Sequence, residues 1–183
     1  DLTREAFAGG WFSTGDIGYL VDGEVYICGR QKELIILNGR NYYPQDLEWQ
    51  ASTVSGVRKG NVIAFGTRKP LNDRERVIIA FETSVTDRAA LDGLKNEVHK
   101  AVRRGSGLSV DDVVALDVGV LPKTSSGKLK RSETCRLYEG GQLFDRTAPR
   151  KGDPVDTAKE LAKSQLGFLR HAVFGDDARN EEG

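Results

Sequence analysis

The sequence contains no methionine in any of its 183 residues. A complete natural chain begins with one, so the sequence reads as a processed or excised piece. It has only two cysteines, Cys28 and Cys135, and two histidines. The cysteines form neither a CxxC pair nor a framework of bridges, which excludes a disulfide-stapled scaffold and leaves no pattern for a zinc site. Charge of one sign is also missing, with Lys+Arg and Asp+Glu both at 27. Nucleic acid is therefore not an expected partner, because its binders carry a basic excess. No apolar run approaches the roughly 20 residues that cross a bilayer, so no membrane span is expected. The acidic N-terminus has no signal-peptide stretch. These absences together predict a cytoplasmic protein. Hydrophobic residues make up 38% of the chain, which predicts that part of it is extended or loosely packed.

What is present reads as a small α+β domain. Two short β-prone runs, Ile17–Val21 and Glu24–Cys28, flank Asp22-Gly23, a strong hairpin signal. A third run, Leu34–Leu37, ends at the turn pair Asn38-Gly39. Pro44 opens a helix expected to reach about Val54. Asn61–Thr67 and Arg76–Thr83 read as strands, as does Val110–Leu116. Between them Thr86 is the expected cap of a helix starting at Asp87, with Leu91, Leu94, Val98, Ala101 and Val102 on one face and Gly105 as its stop. A polar loop, Pro122–Lys128, precedes a short helix near Arg131–Tyr138. After Gly140 the composition changes. Residues 141–153 read as a linker and 154–175 as a separate amphipathic tail helix.

Three stretches carry candidate chemistry. The first is Ser13-Thr14-Gly15-Asp16, where a carboxylate beside a small flexible pair can accept hydrogen bonds from two neighbouring hydroxyls, as a ribose diol offers. The second is Gly29-Arg30-Gln31-Lys32-Glu33, continuing through Gly39-Arg40-Asn41-Tyr42-Tyr43-Pro44-Gln45-Asp46-Leu47-Glu48. Arg30 brings a planar fork of donors suited to a sugar or phosphate. The third is Pro122-Lys123-Thr124-Ser125-Ser126-Gly127-Lys128, which with Lys130 and Arg131 places four cations within nine residues. A lysine on such a loop can neutralise charge on a phosphoryl or carboxylate oxygen. It is not a Walker phosphate loop, because Leu129 stands where Ser or Thr must follow the lysine. Taken singly, Asp16 fits a turn cap, Arg30 a surface charge and the lysine loop a solvated basic segment.

In their order and spacing the three stretches resemble the adenylate-forming superfamily of acyl-CoA synthetases, luciferases and peptide-synthetase adenylation domains. The Gly39–Glu48 and Pro122–Lys128 segments are similar to the versions found in fatty-acyl-AMP ligases. The resemblance implies a two-step reaction in which a fatty acid and Mg-ATP give an acyl adenylate, and the acyl group then passes to the phosphopantetheine thiol of an acyl carrier protein. It implies Lys128 as the catalytic residue, Asp16, Arg30 and Thr14 at the ATP ribose, Lys32 as a hinge, and Gly39 and Arg40 on a loop facing the acceptor. ATP and magnesium would be held mainly by a large N-terminal adenylation domain. By the same resemblance residues 1–31 end that large domain with a β-hairpin, residue 32 is the hinge, and 33–140 form the mobile small domain. Such a piece is expected to be inactive alone. The other readings are the C-terminal domain of an acyl-CoA synthetase, a non-catalytic docking module for a carrier protein, and a plain nucleotide-binding domain.

Overall fold

The computed structural model describes residues 7, 10–69 and 72–147. The expected tail helix at 154–175 lies outside them. Two short hairpins come first. β1 (Asp16–Val21) pairs antiparallel with β2 (Glu24–Arg30), and β3 (Ile35–Leu37) pairs with β4 (Arg40–Tyr42). Each is closed by a two-residue turn with both residues at positive φ: Asp22 at 50° and Gly23 at 83°, then Asn38 at 51° and Gly39 at 73°. That is the turn whose twist matches paired strands, and Asx-Gly adopts it at least cost. The Asn38-Gly39 turn thus closes a hairpin whose second strand, β4, the sequence reading did not anticipate. One 3-10 turn, Gln31–Glu33, joins the two hairpins.

The main sheet has three strands, β5 (Val62–Lys69), β6 (Asn72–Glu82) and β7 (Asp112–Leu116), in the order β5-β6-β7. β5 and β6 are antiparallel, whereas β7 runs parallel to β6. Among the described residues three helices surround this sheet: α1 (Pro44–Ser52), α2 (Arg88–Ser106) and α3 (Arg131–Glu139). The sheet is covered on both faces. Val62, Ala64, Val77, Ile79, Phe81, Val113 and Ala115 pack with α1 and α2, while Ile63, Phe65, Ile78, Ala80, Val114 and Leu116 pack toward α3. This explains the uninterrupted apolar run Val77–Phe81, every residue of which has 0% exposure. A strand buried on both faces has no polar side to alternate with. Each such Val, Ile or Phe contributes about 1.5–3 kcal/mol of burial free energy.

Three expectations need correction. The cap of α2 is Asp87, whose side chain accepts from the Ala90 amide at 2.8 Å, so the helix begins one residue later than expected. Gly105 does not end α2. The helix continues to Ser106 and stops at Gly107, which takes the left-handed conformation with φ 70°. Gly105 serves packing instead, because the Gln50 side chain of α1 occupies the space a Cβ would need. Residues 141–147, expected to begin a linker, are packed against the domain. Leu143 is buried, the Arg146 amide donates to the Ala115 carbonyl at 3.0 Å, and Asp145 pairs with Lys95. Within 141–147, Asp145 thus pairs with a residue of α2, and Arg146 pairs with Asp117 just past β7.

Candidate functional site

The β1–β2 register places Asp16 directly opposite Arg30, and the two side chains meet with Nε to Oδ1 at 3.3 Å. The sequence spacing of fourteen residues is thereby converted into a contact. Thr14 is tied to the same corner, since its hydroxyl oxygen accepts from the Asp16 amide at 3.1 Å. Its demonstrated contact holds the turn. The Asp16 side chain is 31% exposed, and Arg30 is its only carboxylate partner among the described residues. Among the described residues its Oδ2 has no ion-pair partner.

The 3-10 turn sits between this corner and the β3–β4 hairpin. Upstream, the Gln31 amide donates to the Gly15 carbonyl at 2.9 Å. Downstream, Glu33 receives the Arg131 Nε at 2.9 Å. Lys32 lies between those two attachments, is exposed, and lines a cleft of about 280 Å³ together with Glu33, Arg131 and Cys135. Gly39 and Arg40 are exposed at the tip of the β3–β4 hairpin.

Lys128 stands on a built hairpin. Lys123 and Leu129 form a β-bridge, the Thr124 amide donates to the Lys128 carbonyl at 2.8 Å, and the Gly127 amide donates to the Thr124 carbonyl at 2.9 Å. Gly127 supplies the left-handed position with φ 81°. The Thr124 hydroxyl oxygen accepts from the Lys128 amide at 3.0 Å, and the Lys130 amide donates to the Pro122 carbonyl at 2.9 Å. The loop expected from sequence is thus an ordered turn that holds the Lys128 backbone. The Lys128 side chain is exposed and has no hydrogen bond or ion pair among the described residues. Nor does such a contact join it to Asp16 or Arg30.

Two charge clusters support this hairpin, one around the buried Glu82 and one half-buried around Arg131, and the sequence reading missed both. Glu82 ends β6 with a side chain at 0% exposure. Its Oε1 accepts from the Leu121 amide at 3.0 Å and its Oε2 from Arg58 Nη1 at 2.9 Å. Beside it, Lys123 Nζ donates to Asn61 Oδ1 at 2.6 Å. These contacts fix the upstream limb of the hairpin to the sheet.

The second cluster lies downstream. Arg131, the first residue of α3, reaches Glu33, Glu48 and the Ala64 carbonyl, the last at 2.7 Å. Glu48 also accepts from the Ala64 amide at 2.8 Å. Burial pushes the Glu48 carboxyl above its ordinary pKa, with Arg131 pulling the other way. For Arg131 burial disfavours the charge, but the Glu48 and Glu33 carboxylates more than offset it, so its pKa stands above the usual value. The only sequence signals for Glu82 and Arg131 are a carboxylate ending an apolar run and a cation opening a helix, and neither pattern separates a buried group from a solvated one.

No family model matches the sequence. A Caulobacter vibrioides protein named as an acyl-CoA synthetase is 40% identical over 146 residues, covering 79% of this chain and 25% of that protein. The structure of McyG A-PCP complexed with phenylalanyl-adenylate is similar with a TM-score of 0.69 and 33% identity, over 76% of this chain and 25% of that one. A structure of fatty acyl-adenylate ligases from E. coli and L. pneumophila gives a TM-score of 0.64 and 33% identity, over 77% and 25%. The chain therefore spans about a quarter of the length of these relatives. Among the described residues no helix is long and apolar enough to cross a membrane, and no group of three or more His, Cys, Asp or Glu is placed to hold a metal ion.

Proposed function

The chain belongs to the adenylate-forming family of acyl-activating enzymes, and from that premise we propose that it is the C-terminal portion of a fatty-acyl-AMP ligase. The observation that carries the proposal is the lysine hairpin. Its backbone is fixed at both limbs, yet Lys128 is exposed and lacks a protein partner among the described residues. That arrangement suits a cation delivered to a substrate held elsewhere.

In the first half-reaction a carboxylate oxygen of the fatty acid attacks the α-phosphorus of ATP. The P–O bond to pyrophosphate breaks, leaving an acyl adenylate. Lys128 donates to the carboxylate and α-phosphate oxygens as charge develops there. Loss of one such donor typically costs about 2.7–4 kcal/mol of transition-state stabilisation. Asp16, oriented by Arg30 and Thr14, accepts from the ribose hydroxyls. In the second half-reaction a phosphopantetheine sulfur attacks the acyl carbon and AMP leaves with the bonding pair. Rotation about Lys32 would exchange the Lys128 face for the Gly39–Arg40 face between the two steps.

The magnesium that accompanies ATP screens phosphate charge when bound. By the family resemblance its protein ligands would come mainly from the large domain, beside the phosphates themselves. That domain is also the partner the first hairpin calls for. Leu20, Val25 and Ile27 are 68%, 70% and 66% exposed, and neighbouring apolar side chains on a two-stranded ribbon are normally covered by another surface. On this reading residues 1–31 close the large domain and the small one, expected to end at 140, runs on to 147, because Leu143 and Arg146 pack onto the sheet. The McyG A-PCP likeness fits a carrier-protein partner, whereas the Caulobacter relative's name favours CoA as acceptor.

Acceptor choice decides between them. The full-length enzyme, given a fatty acid and ATP, should acylate a phosphopantetheinylated carrier protein in preference to CoA. Faster transfer to CoA would assign it as an acyl-CoA synthetase.

A further inference from the structure

The hinge is bracketed by two attachments that point in opposite directions. The Gln31 amide is bonded to Gly15 in the β1–β2 corner. Glu33, two residues on, is held by Arg131 at the head of α3. Arg131 is itself secured by Glu48 of α1 and the Ala64 carbonyl of β5, and its side chain is only 14% exposed. Lys32 is the one residue between the brackets. The hydrogen bond that spans it, from the Leu34 amide to the Gln31 carbonyl, is long at 3.4 Å.

From this we propose that Arg131 and Glu33 form a clamp that confines the domain rotation to Lys32, which makes Arg131 a positioning residue for Lys128. The inference rests on the ligase reading for its catalytic meaning, but the clamp itself is a property of this chain. A rotation spread over several residues would carry Lys128 along a different arc on each excursion. A rotation confined to one residue has only that residue's φ and ψ to vary, which narrows its axis. Arg131 links that axis to the lysine directly, because it follows Lys128 by three residues and the Lys130 amide between them closes the hairpin. The clamp thus sets where the arc begins and the hairpin sets where the lysine stands on it.

Glu33→Ala is the discriminating variant. It removes the clamp and leaves Arg131 its contacts with Glu48 and Ala64, so the fold stands. In the 183-residue chain, NMR-detected hydrogen exchange at the Leu34 amide should quicken by about fivefold or more, the opening that loss of one half-buried ion pair permits, with the melting temperature nearly unchanged. Glu33→Gln, which keeps an acceptor oxygen for Arg131, should restore part of the protection. In the full-length enzyme Glu33→Ala should lower kcat for both half-reactions by about tenfold and leave KM for ATP unaltered, as expected when positioning and not ground-state binding is lost. Unchanged exchange at Leu34 overturns the clamp whatever the enzyme does. Faster exchange with both half-reactions at the parental rate overturns the positioning claim. If Lys128→Ala itself leaves adenylation intact, the ligase reading fails, and the exchange result still judges the clamp separately.

Discussion

Replacing Glu82 with glutamine keeps the shape of the side chain and removes its charge, so it isolates what the buried carboxylate does for the lysine hairpin. Two contacts change. The bond from the Leu121 amide to Oε1, 3.0 Å long, is a hydrogen bond to a charged group, worth about 1.5–3 kcal/mol, and a neutral amide oxygen retains roughly 1 kcal/mol of it. The Arg58 pair contributes less than its 2.9 Å distance suggests. Arg58 is 46% exposed, so solvent screening limits the pair to about 1 kcal/mol. The new amide NH2 then faces the Arg58 guanidinium, donor against donor, at a further cost of about 1–3 kcal/mol for an unsatisfied buried group. The sum is a loss of about 2.5–6 kcal/mol, or roughly 5–24 °C in melting temperature for a chain of this size. Urea denaturation of the 183-residue chain reads the first quantity. Hydrogen exchange at the Leu121 and Lys130 amides tells whether the loss is local to the hairpin. Glu97→Gln, which breaks an exposed pair with Lys100, is the control and should leave the midpoint where it is. A Glu82→Gln loss below about 0.5 kcal/mol, the scatter of ordinary surface changes, would refute the anchoring role.

Two further outcomes follow from single residues. Cys135 is half-buried, and burial with Glu139 beside it pushes its thiol up to about 11. In a Cys28→Ser background its alkylation at pH 8 should run roughly a hundredfold slower than that of an ordinary thiol and rise tenfold per pH unit toward pH 11, because only the thiolate reacts. A rate equal to a free thiol's would contradict that burial. Gly127→Val places a β-branched residue at φ 81° in otherwise open space. The backbone strain of about 1–3 kcal/mol should fall on the hairpin alone. In the full-length enzyme kcat for adenylation should drop with little change in melting temperature, and an unaltered kcat would show that the left-handed turn is dispensable.

The parts of the fold set by local chemistry were legible in the sequence. Asp22-Gly23 and Asn38-Gly39 gave their turns, Pro44 gave the start of α1, and the periodic leucines and valines gave the buried face of α2. The parts set by contact across the fold were not. Gly105 carries the sequence signal of a helix stop, and only the crossing of α1 shows that it makes room for Gln50. Thr86 and Asp87 are both good caps, and nothing local ranks them. At the candidate site the spacing of Asp16 and Arg30 conceals that they are cross-strand partners, a fact that needs the register. The pairings of Glu82, Glu33 and Arg131 are hidden in the sequence because their partners lie 24 to 98 residues away. Family resemblance supplied Lys128, and the structure supplied what holds its backbone.

The central claim is that Lys128 serves the adenylation step of a ligase. It is tested most directly by ATP–pyrophosphate exchange in the full-length enzyme carrying Lys128→Ala. The account predicts exchange reduced by about a hundredfold to a thousandfold, the loss expected for one charge-stabilising donor, with ATP affinity nearly unchanged. Exchange at the parental rate in that variant would contradict it.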